Sequence, residues 1–566
     1  MTTEWRRCFT LCGAGHAILL AWGLCVLVLG MAGGCSREHY KAKADEEVYK
    51  IVETKWQDDF GQMANYRIQD ADPNEVAVLE VVPPGGVLSL AEAVEIATRY
   101  SREYQSQKES LYLAALTLTS MRHRYAPQWF GTFDATYARN AAGEDITTGA
   151  SGGVNQTFLF ANGLRMTSGL AVDWARFLTG DPRTTLGSVL TSTLAFPLLG
   201  SGAGLRAWEE LTQAERDVLY SIRTFNRYRQ TFVVSIISDY YGVLQQREVV
   251  SIQQASYRRL VDSTNQLRME VEVGQRPAYD LGEAEQRLLS AEQSLVSARQ
   301  RYEQTLDRFK IRLALPSDAH VSLDPNELTM LADLGISQPE YTEEDATELA
   351  LARRLDLANT RDALYDAERK LELAAKGLGV QLNLTGSANV ASEPETKFAS
   401  LQFDEGRYRL GLETDLPLDR KAERNAYRES LITVQQRYRN YDEQVDEIKL
   451  GVRQAYRDLA ETAESYRIQQ IGLNLAQRRV EVEKLSLQYG RGTVRLLLDS
   501  EDALVRAQND VLGALVDLGL DLQALTDRLQ TLPLTGFRLR AERVKRKGVM
   551  GTKLHVEVDE ARDTHR

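Results

Sequence analysis

Apolar residues recur along this chain with two different periods. From Tyr427 through Leu431, Val434, Tyr438, Tyr441, Val445, Ile448, Val452 and Ala455 to Leu459 they alternate spacings of four and three. A seven-residue stripe stays on one side of a helix only if that helix supercoils around a partner. A looser version runs through Leu211, Val218, Ile222, Phe225, Phe232, Ile236, Tyr240 and Leu244. The two stripes predict helices from near Leu205 to Val273 and from near Lys421 to Tyr489. At 1.5 Å per residue each is on the order of 100 Å long.

The second period is two. Val380, Leu382, Leu384, Gly386, Ala388 and Val390 alternate with Gln381, Asn383, Thr385, Ser387 and Asn389. Tyr408, Leu410, Leu412 and Leu416 alternate in nearly the same way with Arg407, Arg409, Glu413 and Asp415, interrupted only by Thr414. One apolar and one polar face over about ten residues is the pattern of a transmembrane barrel strand, and also of a soluble sandwich with one wet face. Earlier in the chain Trp129, Phe133, Ala135 and Tyr137 alternate with Thr132, Asp134 and Thr136, and a strand near Leu186 to Phe196 returns. Aromatic residues so placed suit a membrane-interface girdle. An insertion over about Ala141 to Arg183, with alternating stretches Gln156–Phe160 and Leu164–Leu170, reads either as an extracellular hairpin or as added wall strands. Isolated hairpins are too small to be stable, so strands from other copies are required.

The chain repeats itself. Ile252-Gln253-Gln254 recurs as Ile468-Gln469-Gln470, a shift of 216 residues (468 − 252). The same shift lays Tyr240 on Tyr456, Glu248 on Glu464, Gly274 on Gly490, Glu285 on Glu501, Leu288 on Leu504 and Ala291 on Ala507. Each half therefore reads helix, strands, very long helix, tight turn, helix.

The amino terminus has Arg6 and Arg7, an apolar run from Ala17 to Met31, and then Ala32-Gly33-Gly34-Cys35, the pattern of an export signal. Small residues ending in Cys resemble a bacterial lipobox, which makes Cys35 the lipid-anchor candidate; an uncleaved signal anchor is the other reading. The expected divisions are a signal peptide over 1–34, an anchored linker over 35–87, repeats over 88–315 and 341–532 with a linker over 316–340, and a charged tail over 533–566. Cys8, Cys12 and Cys25 precede the cleavage point, so neither disulfides nor a cysteine metal site is expected. The histidines have no metal-ligand spacing. A net charge of −12 argues against nucleic acid as a partner. No later window approaches a membrane-spanning helix, so any entry into a bilayer is by strands.

The strand-to-helix joints read Phe196-Pro197-Leu198-Leu199-Gly200-Ser201-Gly202-Ala203-Gly204-Leu205-Arg206-Ala207 and Leu416-Pro417-Leu418-Asp419-Arg420-Lys421-Ala422. Pro197 and Pro417 would end a ladder, and Gly200 and Gly202 would allow a sharp turn into the helix. A dinucleotide loop here would lack its third glycine, because Leu205 stands in that place. The first joint resembles the Pro-Leu-x-x-Gly-Gly-x-Arg-x-Ala joint of the TolC family of outer-membrane efflux proteins, and the second is a diverged copy. The elements Val273 to Leu281 and Tyr489 to Asp499 resemble that family's helix tips. Leu496 stands where two-acid tips would carry a second acid.

The resemblance covers about Leu88 to Leu532. It implies an α+β membrane protein in which two helix-strand-strand-long helix-helix repeats form a homotrimer. Its β-barrel, of about four strands per protomer or more, would stand on a coiled-coil periplasmic tunnel. It also implies an outer-membrane exit duct of a tripartite efflux or type I secretion system, working with a periplasmic adaptor and an inner-membrane pump in contact with outer-membrane lipid. Gly274, Arg276, Asp280, Gly490, Arg491, Arg495 and Asp499 become candidates for the periplasmic gate and adaptor contact. The plainer reading of Pro277 and Asp280 is a helix start. No catalytic residue, cofactor or metal is expected. The competing class is a non-conducting structural lipoprotein that spans the periplasm.

Overall fold

The computed structural model describes residues 36–60, 66–68, 86–139, 146–160, 163–177, 184–199, 202–334, 342–393, 397–416, 419–530, 537–546 and 549–558. Cys35, Gly200 and Pro417 lie outside them. Contacts divide the chain into residues 1–54 and 55–566. The first unit is helical from Arg37 on, within α1 (Arg37–Phe60).

In the second unit the two repeats are plain. The first runs α2 (Leu90–Tyr100), α3 (Arg102–Arg124), strands β2 (Gln128–Arg139), β3 (Ile146–Leu159), β4 (Arg165–Phe177) and β5 (Thr184–Leu199), then α4 (Gly202–Glu272) and α5 (Ala278–Arg312). The second runs α7 (Glu343–Arg353), α8 (Leu355–Lys376), β7 (Gln381–Glu393), short β8 (Lys397–Leu401), β9 (Arg407–Asp415), α9 (Lys421–Gln488) and α10 (Val494–Gln530). Between them, the expected linker carries β6 (Ser322–Leu323), which pairs in parallel with β1 (Val87–Leu88), and helix α6 (Asn326–Leu334).

The helix ends explain themselves chemically. Ser89 and Thr342 each accept a backbone N–H three residues on, while Glu92 and Asp345 accept the cap N–H in return, two reciprocal capping boxes that start α2 and α7. The long helices end in left-handed glycines, Gly274 at φ 76° and Gly490 at φ 71°. Around them Gln275 N–H donates to the Glu270 carbonyl and Arg491 N–H to that of Ser486, the glycine C-cap that satisfies the last carbonyls of a helix.

The heptad stripe of α9 is buried only along its lower half. Ile448, Val452, Ala455, Leu459 and Tyr466 pack with Ala346, Ala350 and Leu357 and with Ala514 and Leu518 of α10. Tyr438, higher on the stripe, is half exposed in the single copy. The stripe of α4 is buried from Val218 to Leu244.

The strands form one sheet in the order β2-β3-β4-β5-β7, with β9 pairing β7 and β8 pairing only the far end of β7. Six long strands form it, on the upper side of the expectation of about four per protomer or more. The insertion supplies the difference, because β3 and β4 fall within it. Within 533–566 lies an antiparallel pair, β10 (Phe537–Arg546) with β11 (Val549–Val558).

Candidate channel wall and tip

Register decides which side chains share a face of the sheet. Antiparallel partners point to the same side, and Gly131 pairs Val154, which pairs Leu170, then Leu190, then Val390. Along the strands this side continues with Trp129, Phe133 and Tyr137, with Met166, Val172 and Trp174, and with Leu384, Tyr408, Leu410 and Leu412. Many of these are widely exposed: Leu410 is 79% accessible, Trp129 66% and Phe133 57%. The opposite side carries Thr132, Asp134, Ser151, Asn155, Thr167, Asp173, Thr191, Asn383, Thr385, Ser387, Arg409 and Glu413.

Gln156, Ser168 and Ser192 cross this side and Val390 is buried, but the exposed apolar area that remains is too large to be left to water. On β2 the aromatic residues of this side are Trp129 and Tyr137 towards the two ends and Phe133 midway between them. Trp129 and Tyr137 are eight residues apart on β2, which at the rise of a strand is roughly 26 Å, close to the height of a barrel's lipid-facing band. No described helix is long and apolar enough to cross a membrane.

At the joint below the sheet, Pro197 pairs Asn383 and the register shifts between Pro197 and Leu199. Helix α4 begins at Gly202. The ladder thus loosens where proline removes a donor.

At the opposite end of the long helices the structure separates the tip candidates. Arg276 lies within its own protomer, donating to Glu270 at 2.9 Å and to the Leu487 carbonyl at 3.2 Å, and reaching Asp280 at 4.0 Å. Asp280 is buried. Asp499 accepts from Arg287 at 2.8 Å, and Arg287 also pairs with Asp502. Arg259 pairs with Glu501 at 2.8 Å. The first repeat is therefore tied to the second by Arg287 and Arg259, with an apolar cluster of Leu260, Leu267, Ala284, Val494 and Leu498 beside them. The expected ties Arg491 and Arg495 are exposed and make no ion pair among the described residues. Sequence reasoning missed Arg287 because its partners are more than 200 positions away.

A second network joins the repeats nearer the sheet. Asp366, on α8, is buried and accepts from Tyr220 at 2.6 Å, Gln213 at 3.2 Å and Arg369 at 2.7 Å, and pairs with Arg216 at 2.6 Å. Burial opposes its charge, but hydrogen bonds from Tyr220 and Arg369 and the charge of Arg216 outweigh that and hold the carboxyl below its ordinary range. Burial and the neighbouring Asp366 carboxylate push the Tyr220 hydroxyl upward. A cavity of about 420 Å³, lined in part by Asp366, Tyr220, Lys370 and Arg437, lies alongside.

These features meet a known pattern. Residues 175–310, from the end of β4 to the end of α5, match the family model described as outer membrane efflux protein. Over those residues the chain is similar to outer membrane efflux proteins, and its fold is that of solved outer-membrane channels. The solved CmeC outer membrane channel of Campylobacter jejuni is similar with TM-score 0.57 and 13% identity, covering 78% of this chain and 85% of that one. The open-state MtrE outer membrane channel of Neisseria gonorrhoeae gives TM-score 0.57 and 14% identity over 79% and 89%. CusC, described by its folding and transmembrane channel formation, gives 0.57 and 14% over 78% and 91%.

Farther along, residues 507–566 match a model described as nickel insertion protein. A protein of Geobacter sp. (strain M21) named "Putative nickel insertion protein" is 44% identical over 54 residues, 10% of this chain and 14% of that one. One from Syntrophobacter fumaroxidans is 40% identical over 50 residues, 9% of this chain and 13% of its own length. The chain thus spans only about a seventh of the curated relatives it matches there. The first part of this stretch is the end of α10, whose Ala514 and Leu518 belong to the core with α9.

Proposed function

We propose that this chain forms the exit duct of a tripartite efflux or type I secretion system, as a homotrimer anchored by lipid at Cys35. A periplasmic adaptor would dock on it and an inner-membrane pump would drive it. The duct itself needs no catalytic group: solute passes along a water-filled path and the energy enters elsewhere. The observation that carries this reading is the widely exposed apolar side of the sheet, with Trp129, Phe133 and Tyr137 spread along β2 over roughly 26 Å.

Purified full-length protein in planar bilayers is expected to give discrete conductance steps, and to migrate as heat-modifiable trimers in detergent. A monodisperse monomer in detergent-free buffer, or bilayers left silent, would support the non-conducting periplasmic lipoprotein instead. For the gate, Arg491 and Arg495, exposed and without an ion pair among the described residues, are candidates to meet a neighbouring copy or an adaptor. Replacing both by Ala is expected to raise the open fraction of single channels; unchanged conductance and closed-state occupancy removes that assignment.

The 507–566 match supports a second, narrower reading, in which the β10–β11 pair serves nickel handling. Nickel bound per chain, measured by mass spectrometry after equilibration, should fall when the chain is cut after Gln530; equal content rules this out.

A further inference from the structure

The two repeats are offset by different amounts on the two sides of their strands. The capping residues Ser89 and Thr342 are 253 positions apart (342 − 89), whereas the tip glycines Gly274 and Gly490 are 216 apart (490 − 274). The helix starts agree with this: Arg102 and Leu355 differ by 253, and Ala278 and Val494 by 216. The first repeat therefore holds 37 more residues (253 − 216), placed between α3 and the tip end of α4, almost all of them in the strand region. There the hairpin β3–β4 is found.

This hairpin is laddered along its whole length on both flanks. Strand β3 pairs β2 from Gln128 to Arg139, and β4 pairs β5 from Arg165 to Arg176. It keeps the facing of its neighbours, with Val154, Phe158, Leu170, Val172 and Trp174 on the apolar side, interrupted by Gln156 and Ser168, and Ser151, Asn155, Thr167 and Asp173 on the polar side. A decoration standing in water outside the membrane would need no such shared apolar side.

The edges of the sheet are then β2 and β9, each with one ladder partner among the described residues. Strand β2 leaves the helical end and β9 returns to it, so the two edges run antiparallel. Their exposed apolar residues, Phe133 on one and Leu410 and Leu412 on the other, belong to the same face. Such edges cannot stay open in hydrocarbon, because their backbone groups would have no partner.

We infer that the inserted hairpin is part of the membrane wall, that β9 of one copy closes on β2 of the next, and that the wall consequently counts six strands per copy. This rests on the trimeric channel proposed above, for which the wall has eighteen strands where two plain hairpins per copy would give twelve. Barrel diameter grows about linearly with strand number, so the membrane section is roughly 1.5 times as wide and about twofold larger in cross-section. The exit through the membrane is then sized for bulkier cargo than a twelve-stranded wall would pass.

The test uses full-length protein in liposomes with single spin labels on Val154→Cys, Leu170→Cys, Ser151→Cys and Asp173→Cys. The expected result is that Val154 and Leu170 are relaxed by dissolved oxygen, and Ser151 and Asp173 by a water-soluble paramagnetic complex. If all four report water, the hairpin lies outside the wall. Cryo-electron microscopy of the same trimers should count eighteen strands, and twelve after removal of residues 140–183, which leaves β2 and β5 antiparallel. A twelve-stranded parent trimer overturns the inference and leaves the channel reading intact, whereas trimers without any barrel overturn the channel reading itself.

Discussion

Asp366 is the meeting point of both repeats at the level of single side chains. Its carboxylate holds Tyr220, Gln213 and Arg216 of α4 together with Arg369 of its own helix. Removing one member of a buried pair leaves the other charges uncompensated, although Arg216 and Arg369 keep some contact with water. Asp366→Asn is therefore expected to cost about 2 kcal/mol at neutral pH, read as a lower thermal midpoint of the purified assembly. The pH dependence follows from the lowered carboxyl. A group whose folded value lies below its unfolded value of about 4 stabilises fully above that value, and the contribution disappears as pH falls through the folded one. The gap between parent and variant should narrow below about pH 4; a gap that stays constant from pH 7 to pH 3 would contradict this account. The same logic covers Glu215, whose burial is outweighed by Lys55 and Arg122.

At the scale of elements, the turn glycines carry the sharpest expectation. An added Cβ at Gly274 or Gly490 would meet nothing within 4 Å, so Ala there suffers only the left-handed backbone, about 1 kcal/mol each. Gly490→Ala should speed hydrogen exchange at residues 487–493 and leave α8 unchanged. Arg287→Ala removes the bridge from α5 to Asp499 and Asp502 on α10 and is expected to loosen the tip, seen as a higher open fraction in bilayer recordings. An open fraction equal to that of the parent would make Arg287 a surface contact without a gating part. These elements differ in how far the chain announces them. The long helices were readable because a heptad stripe over dozens of residues fits little besides a supercoiled helix, and α4 and α9 end within a residue or so of their expected limits. Strand β3 was not, since Gly149, Gly152 and Gly153 dilute the alternation that its partners supply only in the sheet. Arg287 was hidden for another reason: nothing local distinguishes a surface arginine from one whose carboxylates arrive from the other repeat.

At the scale of the whole molecule, what remains exposed tells which contacts are made between copies. Tyr438 on the upper stripe of α9 and the apolar side of β2 and β9 are left uncovered by a single chain, although the corresponding stripe of α4 is buried. Strand edges and a half-used heptad seam at the same end of the long helices call for the same occupant, another copy placed side by side. Register along the seam sets which residues meet, so the test scans it. Phe133→Cys is combined in turn with Cys at Tyr408, Leu410 and Leu412, and the protein is oxidised in the membrane before denaturation. One or two of the three pairs should give covalent ladders ending at the trimer, because same-face residues on adjacent antiparallel strands have Cβ atoms about 5 Å apart. Thr132→Cys with the same partners should stay monomeric on the gel, since Thr132 lies on the polar side of β2. Ladders from Thr132 and none from Phe133 would mean that the copies meet through the opposite face, and the wall would have to be turned inside out.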